Sequence, residues 1–204
     1  MKALLLIDIQ NDFVPGGALA VPEGDQIIAL VNRLQPQFDL VVATQDWHPA
    51  GHLSFASSHP GRQLFEHIDL EGLDQVLWPD HCVQGTPGAE LHPALDQHRI
   101  EAVFRKGTSP DIDSYSGLFD NGHRKATGLA DYLRGRGVTQ VYVAGLAADY
   151  CVYFTAKDAQ QEGFDTYLIE DATRAISPEG FEQAKADLAA HGGHVVHSQQ
   201  VLSR

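Results

Sequence analysis

The sequence is poor in positive charge, with 14 Lys and Arg residues against 27 Asp and Glu residues in a chain of 204. The formal net charge is -13 at pH 7, and the basic residues are scattered along the chain. Binding to a nucleic-acid backbone requires clustered positive charge. We therefore expect no nucleic-acid partner.

Long apolar runs are also missing from the sequence. No stretch approaches the roughly 20 apolar residues that cross a bilayer. The apolar run near the N-terminus is too short for the hydrophobic part of a signal peptide, and polar and charged residues follow it. These features predict a cytoplasmic protein with no membrane partner.

Cysteine occurs only twice, as Cys82 and Cys151, and neither belongs to a CxxC pair of the redox or zinc-binding type. In a cytoplasmic chain, two such residues are expected to be reduced thiols rather than a disulfide. A lone intracellular cysteine is most often a small buried apolar residue. That ordinary role is the alternative to a chemical role for each of them.

The apolar content of 43% is enough for one sizeable core, so a single domain over residues 1–204 is expected. Short apolar, often β-branched runs without strict polar alternation are typical of strands covered on both faces of a parallel sheet. Six such runs lie at residues 2–9, 40–45, 100–106, 140–146, 165–171 and 193–198. Helical patterns separate them. The sequence therefore predicts a three-layer α/β/α fold around a mostly parallel six-stranded sheet.

Two of the predicted helices have recognisable boundary residues. One begins with Ser177 as its cap and Pro178 at its first position, and a pair of glycines follows its end. For the helix after the run 140–146, Asp149 is the predicted N-cap and Gly163 the predicted stop.

A long segment at about 47–95 differs from the rest of the chain. It is rich in His, Pro, Gly and Ser and has little periodicity. A stretch of this length without regular structure inside a compact domain is more often functional than a linker. We interpret it as a loop-rich insertion that contributes to metal binding.

Reactive side chains collect where the predicted strands end. They are Asp8, Asp46, Lys106 and Cys151. Ligands of open α/β sheets bind beyond the carboxyl ends of the strands, so these four are expected to meet. Each alone has an ordinary alternative, such as a turn residue for an aspartate or a structural ion pair between Asp8 and Lys106. Packing does not require all four at one edge, which favours a chemical site.

Cys151 is the predicted nucleophile. It falls in the first turn of a predicted helix, where unpaired N–H groups and the helix dipole favour a thiolate. A nearby lysine is expected to lower the pKa of the thiol further. An aspartate within reach can take the thiol proton, and backbone amides of the turn at 147–151 can hold an oxyanion. This combination is typical of acyl transfer.

A metal site is the second hypothesis. Asp46 and His48 are two positions apart, and His81 lies in the later loop. Carboxylate oxygen and imidazole nitrogen suit zinc, iron or manganese, and three protein ligands leave positions open for water or substrate. Because this spacing is common, exposed loop histidines are the alternative. His52 is a further candidate ligand.

Five segments resemble the nicotinamidases of the isochorismatase-like cysteine hydrolase family, and together they cover nearly the whole chain. They are LLLIDIQNDFVPGGALAVP, VVATQDWHPAGHLSFASSHPG, LWPDHCVQGTPGAELHP, VFRKG with the following DSYSGLFDNG, and VAGLAADYCVYFTAKDA. The resemblance implies hydrolysis of nicotinamide to nicotinate and ammonia through a thioester, with pyrazinamide as a second substrate. It also implies that the protein takes part in NAD salvage. Assembly into a homo-oligomer is compatible with the resemblance.

The resemblance implies a role for particular residues. The catalytic triad falls on Asp8, Lys106 and Cys151. One divalent ion, Zn, Fe or Mn, falls on Asp46, His48 and His81, with Ser54 or His52 able to join. The oxyanion donors fall on the amides of Ala147 and Cys151, after a cis peptide between Leu146 and Ala147. The substrate pocket falls on Phe13, Trp78, Tyr115, Leu146 and Tyr150.

Two other functions are weighed against this one. A relative acting on a carbamoyl or ureido compound would share the triad and lack the Asp-His-His metal set. A protein that keeps the fold and binds a metal or ligand without catalysis would release no ammonia from any carboxamide.

Overall fold

The computed structural model describes residues 1–203, and strands and helices alternate along most of them. The strands are Lys2–Ile7 (β1), Leu40–Asp46 (β2), His67–Leu70 (β3), Leu73–Val76 (β4), Ile100–Lys106 (β5), Gln140–Leu146 (β6), Asp165–Arg174 (β7) and His194–Val196 (β8). The α-helices are Ile28–Leu34 (α1), Leu129–Gly135 (α2), Tyr153–Gln161 (α3), Pro178–Ala190 (α4) and Ser198–Leu202 (α5).

Six strands form one sheet in the order β5-β2-β1-β6-β7-β8. Every neighbouring pair in it is parallel. The predicted α/β fold and strand count are confirmed. Because parallel strands all end at the same edge, residues that follow β1, β2, β5 and β6 are brought together there.

Both faces of the sheet are covered around its central strands, which explains why β1, β2 and β6 lack polar alternation. The edge strand β5 instead alternates between half-buried and exposed residues up to Lys106. Leu4 and Leu6 of β1 pack on the face that holds α1 and α5. Leu5 and Ile7 alternate to the opposite face, which holds α2, α3 and α4. All four are fully buried, and burying each such side chain contributes about 1.5–3 kcal/mol to folding.

The segment at 47–95 is more ordered than its composition suggests. It contains the antiparallel hairpin of β3 and β4, which the sequence did not predict. Its two ends are also tied together, because the amide of His48 donates to the carbonyl of Cys82 at 3.0 Å. Residues 1–203 include no helix that is long and apolar enough to cross a membrane.

One of the two predicted helix starts is confirmed and the other is wrong. Ser177 caps α4 by accepting a hydrogen bond from the amide of Gly180 at 3.1 Å. Asp149 is not an N-cap, because a turn of π type at Ala148–Val152 precedes α3 and includes it. Its carboxylate instead accepts the amides of Ile176 and Ser177, at 2.9 and 2.8 Å. That contact fastens the loop before α4 to the turn.

Candidate active site

Lys106, at the end of β5, is the centre of a buried cluster of charged groups. Its Nζ atom lies 2.8 Å from Asp8 Oδ2 and 3.0 Å from Asp46 Oδ1. It also donates to the carbonyl of Ser114 at 2.8 Å and contacts Cys151 Sγ at 3.4 Å. The structure therefore brings together all four reactive side chains that the strand ends predicted.

Burial and ion pairing push the two acids of this cluster in opposite directions. Burial raises the pKa of Asp8, and Lys106 only partly offsets it. Burial opposes the charge on Asp46 too, but His48 and Lys106 hold the pKa of Asp46 well below its usual range. For Lys106, burial opposes the charge, and Asp46 and Asp8 keep its pKa well above the usual range. Asp8 is thus the better proton acceptor of the two acids.

Thr44 orients Asp8 from the neighbouring strand. Its hydroxyl donates to Asp8 Oδ1 at 2.6 Å, and the amide of Asp8 donates to the same hydroxyl at 3.2 Å. Asp8 has a φ of 46°, in the left-handed region that a non-glycine residue seldom adopts. Such conformations cluster at functional sites. Nothing in the sequence marks Thr44 as part of the site.

The prediction of a low pKa for Cys151 is wrong. Burial raises the pKa of the Cys151 thiol well above its usual range, Lys106 lowers it, and Asp8 raises it. Lys106 is already paired with two carboxylates, so its charge does not compensate for the loss of hydration. The shift favours the protonated thiol, so a nucleophilic role for Cys151 would require a base that takes its proton.

The backbone before Cys151 has the predicted form. The peptide bond between Leu146 and Ala147 is cis. The Ala147 carbonyl then accepts the amides of Tyr150 and Val152, at 3.2 and 3.1 Å. These bonds shape the tight turn that holds the thiol beside Lys106.

Asp46 also faces two histidines. Its Oδ2 atom lies 2.9 Å from His48 Nε2 and 3.3 Å from His81 Nε2. One possible ligand atom from each of the three residues lies within 4.8 Å of the others, and all three residues are buried. The residues predicted as metal ligands are therefore adjacent in space.

The donor chemistry of this group fits a divalent metal. His48 Nδ1 lies 2.9 Å from the Gly107 carbonyl, and His81 Nδ1 lies 2.7 Å from the Pro79 carbonyl. A carbonyl only accepts, so each Nδ1 carries its hydrogen and each Nε2 is directed at the Asp46 carboxylate. Either a proton on Nε2 or a divalent metal ion satisfies this arrangement, and two imidazole nitrogens with one carboxylate oxygen are a common donor set for such an ion. Burial disfavours a proton on His48, but Asp46 outweighs burial and raises the pKa of His48 to about 9.

His52 supports this group from the side. Its Nδ1 atom lies 2.8 Å from Ser54 Oγ and its Nε2 atom 3.3 Å from the Ile112 carbonyl. Both ring nitrogens are thus engaged outside the Asp46 group. The ring packs against that of His48, with 4.5 Å between the centroids. His52 therefore packs against the candidate ligand His48.

A pocket with an empty volume of about 340 Å³ opens beside the thiol and the candidate metal ligands. Its lining consists of Phe13, Leu19, Asp46, Trp78, His81, Asp113, Tyr115, Ala147, Tyr150, Cys151 and Ile176. Four of the five predicted pocket residues are among them. Leu146 does not line the pocket, because its side chain is fully buried in the core. It packs so closely against Gly24 that a Cβ there would lie 3.2 Å from Leu146 Cδ1. Leu19, Asp113 and Ile176 were not predicted. Leu19 and Asp113 lie within the family-like segments, but the resemblance assigned them no role.

Aromatic side chains give the pocket its shape. Trp78 meets Tyr150 edge to face, with 5.0 Å between the ring centroids. The indole N–H of Trp78 donates to the hydroxyl of Tyr115 at 3.2 Å. These rings stand nearly perpendicular to one another and give the pocket an apolar wall against which an aromatic ligand can pack.

Cys82 lacks the contact with Lys106 Nζ that Cys151 makes at 3.4 Å. Both cysteines are free thiols, as predicted. Cys82 is fully buried in the hydrophobic core, and its amide donates to Asp12 Oδ2 at 2.7 Å. Burial raises the pKa of its thiol well above the usual range. Cys82 therefore serves as a small apolar core residue.

The chain is similar to known proteins over nearly its whole length. A family model described as an isochorismatase domain matches residues 2–200. The nicotinamidase of Escherichia coli K12 is 50% identical over 94% of this chain and 92% of its own. A solved nicotinamidase and pyrazinamidase from Acinetobacter baumanii is 47% identical, with a TM-score of 0.96 over 98% of this chain and 97% of its own. A pyrazinamidase of Pyrococcus horikoshii in complex with zinc is 42% identical, with a TM-score of 0.79 over 96% and 98% of the two chains.

Proposed function

Because the chain belongs to the isochorismatase domain family, we propose that it is a hydrolase that converts nicotinamide to nicotinate and ammonia and also accepts pyrazinamide. The proposal rests on one observation above all. Lys106 joins Asp8 to Cys151 at the wall of an aromatic pocket that also carries Asp46 and His81. The names of similar proteins, nicotinamidase and pyrazinamidase, support the same substrate class.

In the proposed first step, Asp8 takes the proton of the Cys151 thiol as Sγ attacks the carboxamide carbon. The raised pKa of Asp8 makes its carboxylate a stronger base, which suits a buried thiol whose own pKa is raised. The Lys106 ammonium remains charged and stabilises the negative charge that is shared between Asp8 and the sulfur. General base catalysis of this kind contributes about 10²–10⁴-fold to the rate.

The addition places a negative charge on the former carboxamide oxygen. We assign its stabilisation to the backbone amides of Ala147 and Cys151, which the turn after β6 holds in place. Asp8 then returns its proton to the leaving nitrogen, the C–N bond breaks, and ammonia departs. A nicotinoyl thioester on Cys151 remains. Asp8 next takes a proton from a water that attacks the thioester carbon. The C–S bond breaks, the pyridine carboxylic acid departs and ionises to nicotinate, and Asp8 returns its proton to the Cys151 sulfur.

Asp46, His48 and His81 are the residues that would hold a divalent metal, Zn, Fe or Mn. When bound there, the ion would supply a Lewis-acid contact for the ring nitrogen and fix the ring in the pocket. The flanking aromatic rings of Trp78 and Tyr150 would restrict tilting of the substrate. The carboxamide would then be presented to the thiol in a reactive orientation.

The proposed biological setting follows from the reaction. Recovery of nicotinate from nicotinamide would make the protein part of NAD salvage, and we place it in the cytoplasm. A hydrolase of carbamoyl or ureido compounds fits less well. The resemblance implies that relatives with those substrates lack the Asp-His-His metal set, whereas this chain brings Asp46, His48 and His81 together.

The test is ammonia release from nicotinamide, pyrazinamide and benzamide by the purified protein loaded with zinc or manganese. Benzamide has the carboxamide and lacks the ring nitrogen. We expect turnover of the first two substrates and a rate with benzamide lower by on the order of 10²-fold, because its ring is not positioned. Absence of ammonia from all three would refute the enzyme assignment, and equal rates would refute ring-nitrogen positioning.

A further inference from the structure

A third buried carboxylate lies beside the proposed metal site and has no role in the proposed reaction. Asp113 is 3% exposed and lines the substrate pocket. Its Oδ1 atom lies 3.9 Å from His48 Nε2, the atom that faces Asp46. That distance is too long for a hydrogen bond. The group whose candidate ligand atoms all lie within 4.8 Å of one another consists of Asp46, His48 and His81 and does not include Asp113. Asp113 is placed next to the ligand group and is not one of its members.

We propose that Asp113 acts as an outer carboxylate of the metal centre, accepting hydrogen bonds from water bound to the ion and balancing its charge. This inference rests on the metal site of the proposed function. Residues that hydrogen-bond the ligands of a metal orient those ligands, and their substitution typically changes the affinity of the site for the metal by about 10–100-fold.

The surrounding protein holds Asp113 in place and leaves part of its carboxylate available. Oδ1 accepts the amide of Ser114 at 2.7 Å, and Oδ2 accepts Gln75 Nε2 at 3.3 Å. A carboxylate offers about four acceptor positions. Two are engaged by these fixed donors, so further acceptor capacity remains on the side that faces His48 and the pocket.

The charges of the buried groups support the same role. Asp8, Asp46 and Asp113 are three buried carboxylates, and Lys106 is the buried cation among them. Histidines that bind a metal are neutral, so with the three carboxylates and Lys106 ionised the site carries an excess of two negative charges, which a divalent cation neutralises. Without Asp113, the same ion would leave a net positive charge in a buried environment, where uncompensated charge is costly.

A purely structural role is the competing explanation. Gln75 is buried and its Nε2 atom also donates to the Val76 carbonyl at 2.7 Å and to the Tyr115 hydroxyl at 3.2 Å. Asp113 could therefore act only by holding Gln75 and the aromatic wall. Gln75→Met separates the two explanations, because it removes these hydrogen bonds and keeps the charge of Asp113.

The experiment measures the dissociation constants of zinc and manganese for metal-free protein by competition with a chromogenic chelator. Asp113→Asn removes the charge at nearly constant shape, and Asp111→Asn makes the same charge change at an exposed position in the same loop. We expect binding about 10–100-fold weaker for Asp113→Asn, and wild-type binding for Asp111→Asn and Gln75→Met. The thermal midpoint of each metal-free variant reports folding, and Asp113→Ser is measured in the same way if Asp113→Asn does not fold.

If Asp113→Asn, or Asp113→Ser in its place, binds the metal ions with wild-type affinity, the inference is overturned and the proposed metal site is unaffected. Equal weakening in Gln75→Met and the Asp113 variant also overturns it, in favour of the structural role. If wild-type protein binds neither ion, both the inference and the metal site of the proposed function are refuted.

Discussion

Asp46 and Lys106 form a buried ion pair of 3.0 Å through one oxygen of the Asp46 carboxylate. The other oxygen of the same carboxylate lies against the Nε2 atoms of His48 and His81. One side chain therefore belongs both to the thiol cluster and to the candidate metal ligands. Asp46 therefore couples the thiol cluster to the candidate metal ligands, and a substitution of Asp46 is expected to affect both parts of the site.

Asp46→Asn tests that coupling. The variant loses a metal ligand and also leaves Lys106 without one of its two buried partners, and breaking a buried pair destabilises a protein by about 3–5 kcal/mol. His81→Ala is the matched control, because it removes a ligand and keeps the ion pair. We expect Asp46→Asn to have a lower thermal midpoint and less activity than His81→Ala. Equal midpoints and equal residual rates would show that the coupling is absent.

Metal removal is expected to inactivate the protein and leave its fold in place. The candidate ligands lie at the sheet edge and in the loops of 47–95, and the two hydrophobic layers do not depend on them. Activity and circular dichroism are measured after prolonged chelation and again after zinc, iron or manganese is returned. Full activity of verified metal-free protein would contradict the metal assignment, and global unfolding would make the ion structural.

Asp8→Asn is expected to lower kcat by at least about 10²–10⁴-fold, since it removes the proton acceptor and retains the size of the side chain. Asp111→Asn, an exposed change of the same type, is the control and should match wild type. Steady-state ammonia release measures both. A rate within a few-fold of wild type for Asp8→Asn would mean that another group deprotonates the thiol.

Thr44→Val tests the orientation of the base. It removes the 2.6 Å hydrogen bond to Asp8 Oδ1 and keeps the shape of the side chain. Hydrogen bonds to charged groups contribute about 1.5–3 kcal/mol, so kcat/KM should fall by roughly 10–100-fold. Unchanged kcat/KM would show that Lys106 alone positions Asp8.

The pH profile follows from the direction of the Asp8 shift. Catalysis needs Asp8 ionised, and burial raises its pKa, so kcat/KM should decline as the pH falls through a value above the usual aspartate pKa of about 3.9. The measurement is kcat/KM against pH with a subsaturating substrate. A profile that stays flat down to the usual value would contradict the assignment of Asp8 as the base.

The four reactive strand-end residues could be predicted from sequence because strand direction alone decides where they meet. The parallel order of β1, β2, β5 and β6 places Asp8, Asp46, Lys106 and Cys151 at one edge, whatever the packing around them. The residue types alone suggested the metal ligands and left exposed loop histidines as the alternative. Resemblance to a known family assigned Asp46, His48 and His81 that role and added most of the aromatic pocket.

Properties that depend on burial could not be predicted from strand direction or from the resemblance. Cys151 follows a strand as predicted, but the depth of its site raises the pKa of its thiol, and chain position does not reveal that depth. Leu146 precedes the turn and points into the core, which chain position does not reveal. Thr44 and Asp113 lie in ordinary sequence contexts, and only tertiary contacts bring them to the site.

The identity of the nucleophile is the central claim, and the rates of ammonia release by Cys151→Ala and Cys82→Ala test it most directly. Only Cys151 contacts Lys106, at 3.4 Å, whereas Cys82 packs in the core. With nicotinamide as substrate, we predict no measurable turnover by folded Cys151→Ala and a rate within a few-fold of wild type for Cys82→Ala. An active Cys151→Ala variant, or an inactive but folded Cys82→Ala variant, would contradict the account.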